Sequence, residues 1–234
     1  MKSPKVIAQT LQVFENRFQT GVDLSQAQQG SAIWHKLRLG VVTASNAYRA
    51  VAKKDSETRA TYLAELVAQV CTGVPEEINS KHMDWGKQHE DAARAAYEFS
   101  TGLTVTQVPF VFRDETFRTG CSPDGIVSAK KGAEIKCPWS SSNYVKFLLD
   151  DKIKPEYVWQ YQFTLWVMGA EEWDFNQYDP RMKNQPSKTV TVKVDPEKQK
   201  VLDEAIPAFL ADMDKQLAKV GIAFGDQWKG PWEP

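Results

Sequence analysis

A change of hydrophobic period near residue 103 constrains the fold of this chain more than any other feature. Upstream, apolar residues recur at helical spacing. Residues 59–71 set Tyr62, Leu63, Leu66, Val67 and Val70 along one helical face, and Gly73 and Pro75 end the run. A second helix is predicted over 81–100, with Trp85, Ala92, Ala96 and Phe99 apolar and Gly102 just past its end. From Leu103 the period falls toward two, through Val105, Val108, Phe110 and Phe112, in a stretch rich in strand formers. Such a chain has to layer helices on a sheet.

The rest of the sequence extends that pattern. Short strands are predicted over 126–128 and 133–137, joined by the polar, glycine-containing Lys130-Lys131-Gly132. Helices follow over 142–149 and 156–168, then strands over 173–178 and 188–194, and Asp195-Pro196-Glu197 opens a last helix ending near Gly221. Near the front, Thr43 is placed to cap a helix over 44–52. The expected fold is an α/β layered domain with a mixed central sheet flanked by helices. At 234 residues and 42% hydrophobic content, one domain can hold the whole chain, with roughly the first 30 residues standing apart as an N-terminal arm.

Composition limits the partners. With 29 Lys plus Arg against 30 Asp plus Glu, no global field advertises a polyanion, so any nucleic-acid contact has to be local. Cys71, Cys121 and Cys137 are an odd number without metal-binding or redox spacing, behind an N-terminus that lacks the apolar core of a signal peptide. A reduced, cytoplasmic protein is expected, and no apolar run has the length a membrane span needs. His35, His82 and His89 form no zinc motif and read as structural, and no phosphate-binding glycine loop of the ATPase type is present.

The chemistry concentrates around Ser122-Pro123-Asp124-Gly125 and Glu134-Ile135-Lys136. Side chains alternate along a strand, so Glu134 and Lys136 share one face while Ile135 points into the core. If the hairpin brings Asp124 alongside, two carboxylates and an ammonium converge, and the Ile135 carbonyl is available as a further oxygen. Hard oxygen donors of this kind suit Mg²⁺ or Mn²⁺. Phosphodiester hydrolysis needs an activated water and relief of charge on the phosphate, and divalent metals serve both. Lys136 can orient or deprotonate the water or neutralise the phosphate, and a neighbouring metal would lower its pKa. Taken alone the motif is also an ordinary strand charge pair beside an ordinary turn. Its neighbours strengthen it: Trp85-Gly86-Lys87-Gln88-His89-Glu90 puts a third carboxylate, Glu90, within reach on a helix.

These blocks resemble the phage-type exonucleases of the YqaJ group, lambda-exonuclease-like members of the PD-(D/E)xK nuclease superfamily. The resemblance runs from Trp34-His35-Lys36-Leu37-Arg38-Leu39-Gly40 through Thr43-Ala44-Ser45, residues 85–90, 121–125 and 134–138, to Tyr178-Asp179-Pro180-Arg181-Met182-Lys183 and Phe224-Gly225-Asp226-Gln227-Trp228. It implies a restriction-endonuclease-like core and a two-metal site of Mg²⁺, with Mn²⁺ able to substitute. In that site Asp124, Glu134, Glu90 and the Ile135 carbonyl are ligands, Lys136 is the catalytic lysine, and Gln162 stands beside the site in support. It also implies a homotrimeric ring around the DNA, a single-strand annealing protein as partner, and a phage or prophage gene acting in a bacterial host cytoplasm.

The remaining candidates carry two readings each. Arg38, Thr43 and Ser45 form either a capped helix with a surface arginine or, as the resemblance implies, a pocket for a 5′ phosphate. Met83 and Trp85 are core residues or a wedge near the terminal base pair. Arg49, with Lys53 and Lys54, grips duplex phosphates or forms a solvated helix face. The expected activity is a Mg²⁺-dependent 5′-to-3′ double-strand DNA exonuclease that releases mononucleotides and leaves 3′ single strands for recombination by annealing. An endonuclease, which would cut closed circles, and a non-catalytic end-binding protein are the rivals.

Overall fold

The computed structural model describes residues 1–75, 81–230 and 232, except for the side chains of residues 81–83. His82 and the proposed Met83 wedge therefore lie outside the described residues. The chain is mixed α/β, as expected, with helices packed around mixed sheet that divides into two sheets among the described residues.

The N-terminal arm has structure of its own. Ser3 caps α1 (Pro4–Phe18), and Pro4 starts it with the φ a helix needs. Ile7, Leu11 and Phe14 face inward, and Phe14 packs among Phe112, Phe117, Trp228 and Trp232. The arm is thus part of the main hydrophobic core. Next come α2 (Ala32–Leu37), capped by Ser31, then β1 (Val42–Thr43) and α3 (Ala47–Ala50). After these come α4 (Glu57–Thr72), capped by Ser56, and α5 (Lys81–Thr101).

The predicted strand beyond residue 103 shrinks to β2 (Val111–Phe112), preceded by an isolated bridge from Thr106 to Ile126. β2 pairs antiparallel with β3 (Thr119–Cys121), which pairs parallel with β1, giving the order β1-β3-β2. The second sheet joins β4 (Gly125–Ile126), β5 (Lys131–Lys136), β6 (Glu172–Tyr178) and β7 (Ser187–Lys193) in that order. β5 and β6 run parallel, with Lys136 opposite Gln177, and the outer pairs are antiparallel. Helices α6 (Ser141–Asp150) and α7 (Pro155–Met168) make the crossover between β5 and β6, and α8 (Pro196–Lys219), capped by Asp195, completes the layer. No helix among the described residues is long and apolar enough to cross a membrane.

Two close approaches set up the site. A Cβ on Gly132 would fall 2.2 Å from the Trp173 ring, and one on Gly125 would fall 2.2 Å from Val105, so glycine alone lets the β4–β5 hairpin seat. A small apolar cluster of Ala93 and Tyr97 from α5 with Val105, Ala133 and Ile135 then holds α5 over β5.

Candidate active site

Asp124 sits in the short link between β3 and β4, and the hairpin turns it toward β5. Its Oδ2 accepts the Ile135 N–H at 2.5 Å. Glu134, 2% exposed, projects on the same strand face as Lys136, as alternation requires. Lys136 Nζ lies 2.5 Å from Glu134 Oε1, and the Gln160 amide donates to that same oxygen at 2.6 Å. A cavity of about 980 Å³ opens over this group, and Glu90, Arg94, Asp124, Lys136 and Tyr157 all line it. Sequence and fold together bring Asp124, Glu134 and Lys136 into one constellation, with Glu90 on the facing wall.

The electrostatics are those of crowded, desolvated carboxylates. Burial pushes Glu134 up to about 7, with Lys136 opposing that and Asp124 adding to it. Asp124 is also raised, first by burial, against the pull of Lys136 and the Ile135 N–H. Glu90 is raised by burial and by Asp124, and its Oε1 rests 3.4 Å from Arg94. Burial works against the Lys136 ammonium, but Glu134 and Asp124 outweigh it and hold the lysine above its ordinary value. The Cys137 thiol is pushed up to about 12 by burial, Asp124 and Glu90.

The carboxylates of Glu90, Asp124 and Glu134 and the Ile135 carbonyl offer oxygens, the chemistry that divalent hard cations take. Among the described residues, however, no group of three or more His, Cys, Asp or Glu side chains is arranged to hold an ion. Glu134 is turned onto Lys136 and Gln160, and Glu90 leans to Arg94, so like charges are kept apart by local cations and an amide.

Gln162 does not stand beside the site. It is 1% exposed and bonded on the far side of α7 to the Lys193 carbonyl (2.7 Å), the Asp195 amide (3.0 Å) and Gln199 (2.9 Å). Two residues along a helix rotate by roughly 200°, so Gln160 faces Glu134 and Gln162 faces β7 and α8. Tyr157, three residues before Gln160 on the same face, has its ring 5.6 Å from Lys136 Nζ. That shared face was a legible signal for Gln160.

Thr43 does not cap a helix. It ends β1, its side chain makes no capping bond, and the next residues form a 3₁₀ turn (Ala44–Asn46) and the four-residue α3. Residues 43–45 therefore form no long helix N-terminus whose dipole could hold an anion. Thr43 contributes its N–H to the buried Tyr62 hydroxyl (3.3 Å), and exposed Ser45 sits 3.4 Å from its Oγ1. Arg49 is not free for phosphates either: Glu65 holds it through two bonds of 2.6 and 2.7 Å, and it stacks on Tyr62. Trp85, half-buried, packs against His89 and Trp139.

Arg38 is placed differently. Its guanidinium stacks 3.9 Å over Trp34 and donates to Ser122 Oγ at 3.3 Å, and Trp34 Nε1 donates to that same oxygen at 2.8 Å. No carboxylate pairs with it among the described residues, and burial lowers it to about 10. From sequence, Trp34 and Ser122 had no role at Arg38; of the three side chains, Trp34 lines the Asp124 cavity.

Comparison with known proteins places the family and the fold. The YqaJ-like viral recombinase domain matches residues 33–171. An alkaline exonuclease from Laribacter hongkongensis, LHK-Exo, is 31% identical, with a TM-score of 0.75 over 82% of this chain and 96% of its own. Its complex with dAMP superposes equally well, at 81% and 96% coverage. A phage-related exonuclease from Haemophilus somnus 129PT shares the fold at 14% identity, with a TM-score of 0.62 over 77% and 96%. The uncharacterised ExoD of Escherichia coli (strain K12) is 37% identical over 79 residues, 34% of this chain and 91% of its own length. Because the matched domain spans more than half of the chain and the fold is shared with an alkaline exonuclease of clear sequence similarity, the chain belongs to the YqaJ-like viral recombinase family.

Proposed function

We propose that this chain is a Mg²⁺-dependent exonuclease that degrades the 5′-ended strand from duplex DNA ends. The observation that carries this reading is the convergence of Asp124, Glu134 and Lys136 under the cavity that Glu90 lines from the other side. Glu90, Asp124, Glu134 and the Ile135 carbonyl would hold the metal. Ile135 gives its N–H to Asp124, and a strand residue sends its N–H and C=O out on the same edge, which supports that carbonyl as a donor. When bound, Mg²⁺ supplies an activated water and charge relief at the scissile phosphate.

The chain's own residues do the rest. Ile135 N–H holds the Asp124 carboxylate in one orientation, and Gln160 does the same for Glu134. Lys136, held protonated between two carboxylates, is placed to bond a phosphate oxygen or the attacking water. Arg38, stacked on Trp34 and bonded to Ser122, offers a cation with no carboxylate partner among the described residues to a terminal 5′ phosphate. The reading extends to release of mononucleotides, a single domain over the whole chain, a homotrimeric ring, and a 3′ single strand passed to an annealing protein in the host cytoplasm.

The test is digestion of linear and covalently closed duplex with and without Mg²⁺. The expected result is loss of the linear form only, with Mg²⁺, and none with purified Glu134→Gln protein. Cutting of closed circles, or normal digestion by Glu134→Gln, would overturn the reading.

A further inference from the structure

Arg181 lies outside the constellation above, yet it touches three of the segments that frame it. Its Nε and one terminal nitrogen bond the two oxygens of Asp179 at 2.8 and 2.9 Å, and the Asp179 side chain is fully buried. That terminal nitrogen also donates to the carbonyls of Pro138 (3.2 Å) and Trp139 (2.9 Å). The guanidinium lies 4.5 Å over the Trp85 ring, which packs edge-on to Trp139 at 5.5 Å and against His89 at 4.0 Å.

The sequence positions of these partners matter. Pro138 and Trp139 follow Lys136 by two and three residues, at the end of the strand that carries Glu134. Asp179 directly follows β6, which pairs in parallel with β5, so the two strand ends emerge side by side. Trp85 precedes Glu90 by five residues on α5, and His89 precedes it by one. A planar five-donor guanidinium is suited to bonding two carboxylate oxygens and two carbonyls while stacking on an indole. A lysine ammonium can meet only part of that geometry.

We infer that Arg181 is a positioning residue that sets Glu90 on α5 at its working distance from Glu134 on β5. The proposal rests on reading Glu90, Asp124 and Glu134 as metal ligands. It assigns Arg181 no contact with metal or DNA. Because Glu90 and Glu134 come from elements held together by apolar contacts at Ala93, Tyr97, Ala133 and Ile135, the far end of α5 needs its own fixture. Arg181 supplies it.

The experiment titrates Mn²⁺ into DNA-free protein by calorimetry for wild type, Arg181→Lys and Arg181→Ala, with near-ultraviolet circular dichroism to check folding. Losing a residue that orients ligands typically weakens metal affinity about 10–100-fold. Both variants are expected to bind Mn²⁺ at least about tenfold more weakly while keeping wild-type affinity for a blunt duplex in EDTA. Arg181→Lys retains a cation beside buried Asp179 and is the variant on which the inference stands if Arg181→Ala fails to fold. Wild-type Mn²⁺ affinity in Arg181→Lys, with or without a lower melting temperature, would make Arg181 merely structural and overturn the inference. Failure of both variants to fold would do the same. If wild-type protein itself binds no Mn²⁺, the metal site falls first, and this inference with it.

Discussion

Replacing Lys136 with Met tests the electrostatics of the site most directly, because it keeps the apolar stem and removes only the charge. In the wild type the ammonium and the Glu134 carboxylate are 2.5 Å apart, with side chains 25% and 3% exposed. Breaking a buried pair from one side typically costs about 3–5 kcal/mol. Lys136 is a quarter exposed and Glu134 can take up a proton, so the expected loss is about 2–3 kcal/mol at pH 8. For a chain of this length that lowers the melting temperature by roughly 5–10 °C.

The pH dependence has a definite sign. An acid whose folded-state pKa lies above its unfolded value removes stability as pH rises from the unfolded value through the folded one. Glu134 is already raised from 4.5 to about 7 in the wild type, so its penalty levels off above about pH 7. Without Lys136 its pKa climbs further, and the variant keeps losing stability from pH 7 to 8 after the wild type has levelled. Thermal unfolding in EDTA at pH 6 and pH 8 reads this: the gap between variant and wild type should widen at pH 8. An equal gap at both pH values, or no gap, refutes the argument. DNA cleavage should be lost throughout, while calorimetric metal binding persists because lysine is not a ligand.

The two glutamines of α7 should separate cleanly. Gln160→Ala removes one bond to Glu134; since a bond to a charged group is worth about 1.5–3 kcal/mol, it should lower the melting temperature by roughly 4–8 °C and slow cleavage by the folded enzyme about tenfold. Gln162→Ala orphans groups on three partners and should lose about 2–3 kcal/mol of stability, read by urea unfolding, while folded enzyme keeps its rate. The opposite pattern would restore Gln162 to the site. Wild-type enzyme should digest 5′-phosphorylated duplex faster than 5′-hydroxyl duplex. Arg38→Ala should shrink that ratio by about tenfold or more, as expected for a charged hydrogen bond; equal slowing of both substrates in parallel digestions would remove the phosphate pocket.

The sequence by itself determined the elements whose signal is local. The helices at Glu57–Thr72, Lys81–Thr101 and Pro155–Met168 follow from apolar spacing and glycine stops, and strand alternation alone puts Glu134 and Lys136 on one face. The Pro-Asp-Gly turn and the glycines that seat the hairpin brought Asp124 to the same place, so the centre of the site was legible before any fold was known. What failed was whatever depended on a partner distant in sequence. Residues before β2 alternate like a strand but find only one bridge, because pairing, not pattern, makes a sheet. Thr43 resembles a cap, yet parallel pairing with β3 draws it into β1. Gln160 and Gln162 are equivalent in composition, and only the packing of α7 between β5 on one side and β7 with α8 on the other decides which reaches Glu134. Arg49 and Arg38 look alike as surface cations until Glu65 neutralises one and Trp34 and Ser122 present the other. Charge pairing, helix facing and strand partnership are properties of three dimensions, and tertiary structure settled each of them.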